Sequence, residues 1–317
     1  MTQTSTVAPT EILVPDVTTS VDSTRRRERL AQLMFIVPAA LVLLALFGYP
    51  IVKNVVMSLQ AYDLRTFFTG EAPFVGLANY VEVMSSRLFS RAMVNTALFT
   101  VGSIVGQFVI GMALAVFFRK KFPLSGTLRA LLLLPWLLPM IASSAAWRAI
   151  LEQDSGILNK TLRGMGLIDS PIPWLTSPSV ALVAVIMVNI WIGIPFNVTL
   201  LYSGLQDIPE ELYEAGALDG ATGWKAFWHI TLPNLRAVVS VVLVLGVVYT
   251  LKVLDIILGL THGGPANATQ TLATQSYERS FVDFEFGQGA ALSNVLIVIS
   301  LVFALVYLRV NRRAIED

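Results

Sequence analysis

The sequence predicts an all-α, polytopic membrane protein with six transmembrane helices. Three features carry that expectation. Mean hydropathy is +0.69. Of the 317 residues, 55% are hydrophobic and only 14% charged, against about 45–50% and about 25% in water-soluble domains. Uncharged or nearly uncharged runs of span length recur six times; about 20 residues suffice to cross ~30 Å of hydrocarbon. A run of that length in lipid must satisfy its own backbone hydrogen bonds, so each is read as helix. A soluble enzyme and a disordered chain are both excluded. The net charge of +1 lacks the basic excess of a nucleic-acid binder. The absence of cysteine removes disulfides, iron–sulfur clusters, cysteine zinc sites and thiol catalysis.

Taken in order, residues 1–29 are rich in Thr, Ser and Val without an apolar helical pattern, and are expected to be a flexible cytoplasmic tail. The first apolar run is too long for a signal peptide and lacks a small-residue cleavage site. Residues 30–310 are expected to form the membrane domain. Its spans are placed at about 32–56, 92–118, 130–148, 179–203, 235–260 and 287–309, from the runs beginning near Gln32, Ala92, Ala130, Val180, Ala237 and Gly287. Residues 311–317 form a short cytoplasmic tail. With six spans both termini lie on one side. That side carries thirteen Lys and Arg, including Arg25–Arg26–Arg27 and Arg119–Lys120–Lys121, against seven on the other. The basic side is therefore cytoplasmic.

Recognisable enzyme chemistry is absent. His229 and His262 fall on opposite sides of the membrane and lack carboxylates at ligand spacing, so no metal site is expected. The stretch Gly220 to Lys225 has the wrong spacing for a phosphate-binding loop. No GxSxG or HExxH string occurs, and no catalytic residue is assigned.

The cytoplasmic segment 207–233 is more than a connector. Asp207 is placed to cap a helix, with Pro209 in its first turn and Glu210 completing an acidic capping box. Glu210, Glu211 and Glu214 put negative charge at the positive end of that helix. Leu212, Ala215 and Leu218 share one face. Gly220 ends the helix, and Thr222 is placed to start a second, with Trp224, Phe227 and Trp228 crowded together. Read by composition, this is an amphipathic hairpin at the headgroups.

Polar groups at membrane depth are functional candidates. Asn189 lies about 14 Å into its span, near the midplane. Trp191 and Asn197 follow, with Pro195 between them placed to break the helix. An amide beside an aromatic face suits a sugar; the alternative for Asn189 is a hydrogen bond to a neighbouring helix. Lys252 and Asp255, three residues apart on a continuous helix, would share a face, with Tyr249 three residues earlier. They are read as an ion pair or as solute ligands. Gly102 and Gly106 form a GxxxG packing motif, Pro135 and Pro139 are expected to bend the third span, and Trp136 and Trp174 are read as packing or interfacial residues.

The spacing Glu214-Ala215-Gly216, three residues, Gly220, nine residues, Ile230-Thr231-Leu232-Pro233 resembles the EAA signature of permeases in ATP-binding-cassette importers. Gly216 replaces the second Ala. Four further stretches resemble sugar permeases of the maltose-permease type: Phe74 to Tyr80, Leu131 to Pro139 with Trp147-Arg148, Asp255 to Pro265, and Phe286 to Ser293. The resemblance covers the chain from about Leu30 to Arg309 and implies a type I importer permease in the cytoplasmic (inner) membrane.

In that family the loop carries a coupling helix seated on a separate ATPase. The resemblance thus assigns Glu211, Glu214, Ala215, Gly216, Leu218, Asp219, Gly220, Ile230, Leu232 and Pro233 to ATPase coupling. It implies four kinds of companion: a second homologous permease, two ATP-binding-cassette subunits, an extracytoplasmic solute-binding protein, and lipid. Nucleic acid is not among them. ATP and magnesium would sit on the ATPase, with no cofactor on this chain. Asn189, Trp191, Asn197, Tyr249, Lys252 and Asp255 are the substrate-path candidates. Gly156, Gly263, Gly264 and Pro265 are the candidates for docking the binding protein. The expected solute is a di- or oligosaccharide; glycerol 3-phosphate or another polyol derivative is the alternative. The competing class is a self-sufficient secondary transporter, against which Asp255 stands as the only intramembrane carboxylate.

Overall fold

The computed structural model describes residue 32 and residues 34–120 and 122–310. The expected tails, 1–29 and 311–317, lie outside them. The described residues are helical, with one isolated antiparallel bridge between Gln60 and Phe74 and no β-strand. Two compact units divide at Asn54. The first holds most of α1, Met34–Ser58, which includes a π segment at Leu44–Gly48. Its large apolar side chains, among them Phe35, Leu41, Leu44 and Phe47, are exposed, as expected of a helix facing lipid or another apolar surface.

In the second unit, α2 (Leu64–Thr69) and α3 (Ala78–Ser85) lead to α4 (Arg87–Arg119). Asp63 caps α2 by accepting from the Thr66 backbone N–H at 2.8 Å. That bond, foremost, holds its carboxyl below the usual range. There follow α5 (Ser125–Leu137), α6 (Met140–Leu151) and α7 (Ile157–Gly164). Next come α8 (Ala181–Gln206), α9 (Glu210–Leu218), α10 (Trp224–Asn234) and α11 (Arg236–Leu251). The chain closes with α12 (Asp255–Leu260), α13 (Leu272–Tyr277) and α14 (Phe286–Val310).

Four helices, α1, α4, α8 and α14, are each long and apolar enough to cross a membrane. Two bent pairs add up to two more spans: α5 and α6 meet at 98°, and α10 and α11 at 72°. The first bend falls at Leu138–Pro139, both in extended conformation. Proline restricts the residue before it to that region.

The centre of the second unit is the α4–α8 pair. Gly102 and Gly106 of α4 face Ile186 and Ile190 of α8, leaving room for the isoleucine branches. Phe99, Ala184, Val185, Val188 and Ile192 continue this contact into a core shared with Leu151, Ile256 and Ile257. A second core joins α4 to α13 and α14 through Phe89, Leu272 and Leu292. A third, beside α9 and α10, gathers Met112, Leu201, Leu205 and Leu235.

Three local expectations are corrected. The segment expected as one helix over 235–260 is broken: α11 ends at Leu251, Lys252 has φ −95° and ψ 5°, and α12 begins at Asp255. Lys252 and Asp255 therefore do not share a helical face. Pro195 does not break α8, which runs through it. Neighbouring side chains bond backbone carbonyls there, Asn197 Nδ2 donating to Gly193 O at 2.9 Å and Thr199 Oγ1 to Pro195 O at 2.8 Å. Asp207 does not cap α9: it closes α8, and the cap of α9 is Pro209, with no side-chain bond.

Candidate functional site

A cavity of about 440 Å³ lies between α4, the α5–α6 bend, α8 and the α11–α12 break. It exists because two helices turn aside: the 98° bend and the break leave space that straight spans would fill. Asn189 and Gly193 of α8 form one wall, Gln107 of α4 a second, Trp136 a third, and Tyr249, Lys252 and Asp255 a fourth.

Asn189 is 5% exposed. Its backbone carbonyl accepts from Gln107 Nε2 at 3.0 Å, but its own amide nitrogen, Nδ2, is buried without a hydrogen-bond partner. A buried donor left unpaired costs about 1–3 kcal/mol, so a donor here is kept at a cost. Gly193 permits the arrangement, because any Cβ there would strike the Gln107 carboxamide. An aromatic chain completes the wall. Trp136 meets Phe196 edge-on at 6.2 Å, and Phe196 meets Tyr249 edge-on at 6.0 Å. Lys252 Nζ lies 4.9 Å from the Tyr249 ring centroid, within cation–π range. Asp255 also edges a second cleft of about 400 Å³, with Ser144, Arg148 and His262.

The structure thus brings Asn189, Tyr249, Lys252 and Asp255 together and sets Trp191 and Asn197 apart. Trp191 packs edge-on against Trp147 at 5.5 Å, beside the first core. Asn197 is 3% exposed and bonded within its own helix. Sequence reasoning missed Gln107 and Phe196 and read Trp136 as packing. Gln107 carries the same signal as Asn189, a carboxamide within an uncharged span.

Between α8 and α10, α9 is an exposed rod. Glu211, Leu212, Glu214, Ala215, Leu218 and Asp219 are all exposed, Leu218 at 91%. The helix ends as expected at Gly220, whose φ is +74°. Its N–H donates to Ala217 O at 3.1 Å, and that of Ala221 to Gly216 O at 2.7 Å. This paired closure needs a left-handed residue, for which glycine carries no Cβ penalty. Gly216 faces Ile230: a Cβ there would run into the isoleucine Cδ1, so the Gly in place of Ala matches a close approach. The second helix starts at Trp224, capped by Gly223 rather than Thr222. Trp224, Phe227 and Trp228 cluster with centroids 5.2 to 5.7 Å apart. Pro233 has no N–H and its ring crowds the carbonyl four residues back. The turn before it widens into a π segment, Phe227–Thr231. Leu232 packs against the third core.

The candidates for docking the binding protein sit in tightly bonded loops. Gly156 caps α7, and a side chain there would strike backbone oxygens of Glu152 and Ile150. The Glu152 carboxylate accepts from the Ser155 N–H at 2.5 Å, Ser155 Oγ at 2.8 Å and the Asp154 N–H at 2.9 Å. These bonds, led by the Ser155 N–H, lower its pKa. Near Gly263 and Gly264, Thr269 Oγ1 donates to Gly264 O at 2.8 Å and the Thr269 N–H to Gly263 O at 3.1 Å. Pro265 follows through a cis bond. From α4, Arg91 donates to Ala266 O at 2.9 Å and Asn95 to Gln270 O at 2.9 Å. Among the described residues, no group of three or more His, Cys, Asp or Glu could hold a metal ion.

A profile of the family described as "Binding-protein-dependent transport system inner membrane component" matches residues 107–316. A probable ABC transporter permease protein of Brucella suis biovar 1 (strain 1330) is 33% identical over 280 residues, 88% of this chain and 96% of the relative. The trehalose/maltose transport system permease protein MalF of Thermococcus litoralis is 36% identical over 287 residues, 90% and 95% of the two chains. Among solved structures, a chain of a bacterial ABC transporter involved in import of the acidic polysaccharide alginate superposes with a TM-score of 0.76. It is 22% identical, and the match covers 93% of this chain and 99% of that one.

Proposed function

Because this chain belongs to the family of inner membrane components of binding-protein-dependent transport systems, we propose that it forms half of the translocation pathway for a sugar, a di- or oligosaccharide. Membership makes it a transport component of the inner membrane, not an enzyme. Its fold is that of a type I importer permease. The observation that carries the sugar reading is the buried, unpaired Asn189 amide at the wall of an aromatic-lined cavity. A sugar ring offers hydroxyl acceptors to such a donor and an apolar face to Trp136 and Tyr249. The sugar named for the Thermococcus relative points the same way.

In this reading α9 and α10 seat on a separate ATPase that holds the ATP and magnesium. A second permease completes the pathway, and an extracytoplasmic binding protein docks on the loops around Gly156 and Gly263–Pro265. Both termini are cytoplasmic. The test is Asn189→Leu in the assembled importer, with uptake of labelled trehalose and maltose. Leucine fills the same space and removes the orphan amide. Thermal stability should hold or rise, while uptake falls more than tenfold. Unchanged uptake would make the amide a packing group.

Lys252 at the same wall favours glycerol 3-phosphate or another polyol derivative as the second reading. Lys252→Met separates the two. It should abolish uptake of an anionic solute and spare that of a neutral sugar.

A further inference from the structure

The exposed helix α9 is held at few points. Of its nine residues, Glu210–Leu218, only Tyr213 and Gly216 are not exposed. Gly216 contributes a close approach to Ile230. Tyr213 does more. Its hydroxyl bonds Thr231 Oγ1 of α10 at 2.9 Å, and Thr231 is 5% exposed. The Arg119 guanidinium lies 3.8 Å from the centroid of its ring. Tyr213 also packs against the third core, which holds Leu205 and Leu235.

Arg119 is the last residue of α4. By sequence it is one of the basic anchors of the cytoplasmic side. In the structure it also ties α4 to α9. Twelve residues earlier on the same helix, about 18 Å away, Gln107 bonds the Asn189 carbonyl at the cavity. One rigid helix thus touches the cytoplasmic rod at one end and the cavity wall near its middle.

We propose that Tyr213, gripped by Arg119 and Thr231, is the joint through which displacement of α9 is passed to α4 and so to the cavity. Arg119 and Tyr213 are positioning residues, since neither meets solute or nucleotide. The inference rests on the reading of α9 as the helix that docks on an ATPase. A guanidinium over a ring and a hydroxyl–hydroxyl bond resist sliding in different directions. A stiff mount is what a nine-residue lever needs if its motion is not to be lost at its base.

The natural chain has no cysteine, so spin labels can be placed at will. Labels at Ala217 on α9 and Ala113 on α4, both exposed, report the joint. The importer is purified with its co-assembled subunits in nanodiscs, and the distance distribution is read before and after adding a non-hydrolysable ATP analogue with magnesium. In the parent and in Arg119→Lys the distribution should stay single and narrow in both states, because α4 follows α9. In Arg119→Ala and in Tyr213→Leu it should at least double in width, and uptake should fall at least tenfold while ATP hydrolysis persists. Tyr213→Phe, which keeps the ring and loses the Thr231 bond, should stay closer to the parent than Tyr213→Leu. A narrow, parent-like distribution in Arg119→Ala, with the ATPase bound, would overturn the joint. If the parent purifies with no ATPase, the coupling reading itself fails, and the joint's transmitting role fails with it. Rescue by lysine separates this role from general misfolding.

Discussion

The loop after α12 and the helix pair α9–α10 are both short segments joining spans, yet they are held in opposite ways. The loop over 261–271 is strapped along its length. Thr261 and Thr269 share a hydroxyl bond of 2.7 Å, Arg91 and Asn95 reach across from α4, and Thr96 Oγ1 accepts from the Leu272 N–H at 2.9 Å. Thr269, Gln270 and Thr271 are buried. By contrast α9 presents seven of nine residues to its surroundings and is fastened through Tyr213 and Gly216. Dense satisfied bonding fixes one conformation, whereas a stiff helix on a small mount can move as a body. The first suits a platform on which another protein lands. The second suits a lever.

The largest expected effect that would break this contrast is at the end of the lever. Gly220 has φ +74° with nothing within 4 Å of a Cβ, a conformation that Asp tolerates better than most residues. Gly220→Asp should therefore insert and fold, with parent-like circular dichroism, and lose more than tenfold in uptake. Normal uptake would deny the lever its role.

Next in size is the platform. Asn95→Ala leaves the carbonyl of buried Gln270, and that of exposed Asn267, without their shared donor. A loss of about 1–3 kcal/mol is expected, seen as a lower melting temperature in detergent and faster proteolysis at 262–267. If the loop stays protected, it is not strapped as described.

Gly216→Ala sharpens the account of the mount. The new methyl meets only the far end of the Ile230 side chain. The cost should be about 1 kcal/mol, with uptake kept within twofold. A loss comparable to that of Gly220→Asp would mean that the α9–α10 contact tolerates no adjustment.

The smallest effect concerns the loop that leads into α7. The folded-state pKa of Glu152 is depressed, so its contribution is present above the ordinary glutamate pKa and fades as pH falls through the lowered value. Protection of the Ser155 amide hydrogen, taken relative to its intrinsic exchange rate, should fall over that acidic window in the parent, and Glu152→Gln should flatten the trend. An unaltered profile would detach the loop from its carboxylate.

Much of the fold could be read from hydropathy, because span length and lack of charge follow directly from what lipid demands. Helix direction could be read only in part: Pro139 announces a bend in the third span, though not its 98°, whereas the break at 252–254 leaves composition almost unchanged and carries no proline or glycine. Those two departures build the cavity. Gln107, Trp136, Asn189 and Tyr249 are far apart in sequence: α4–α8 packing joins Gln107 to Asn189, and Trp136 and Tyr249 reach the same place from beside the bend and the break. Asp207 was misread because α8 runs on to Gln206, past the expected 203, and takes Asp207 as its own end. The local geometry of α9 was more legible: the glycine that ends it and the small residue at 216 are each fixed by backbone and packing constraints that a motif can encode.

The central claim is that α9 docks on a separate ATPase. Leu218, 91% exposed at its tip, gives the most direct test. Leu218→Cys, introduced into a chain without other cysteines, is cross-linked in native membranes with a short thiol-to-amine reagent, and the product is sequenced. The account expects one dominant adduct with a soluble ATPase bearing a phosphate-binding loop, strengthened or weakened by ATP. An adduct-free Leu218→Cys chain, in membranes where a known importer cross-links at its own ATPase contact, would contradict it.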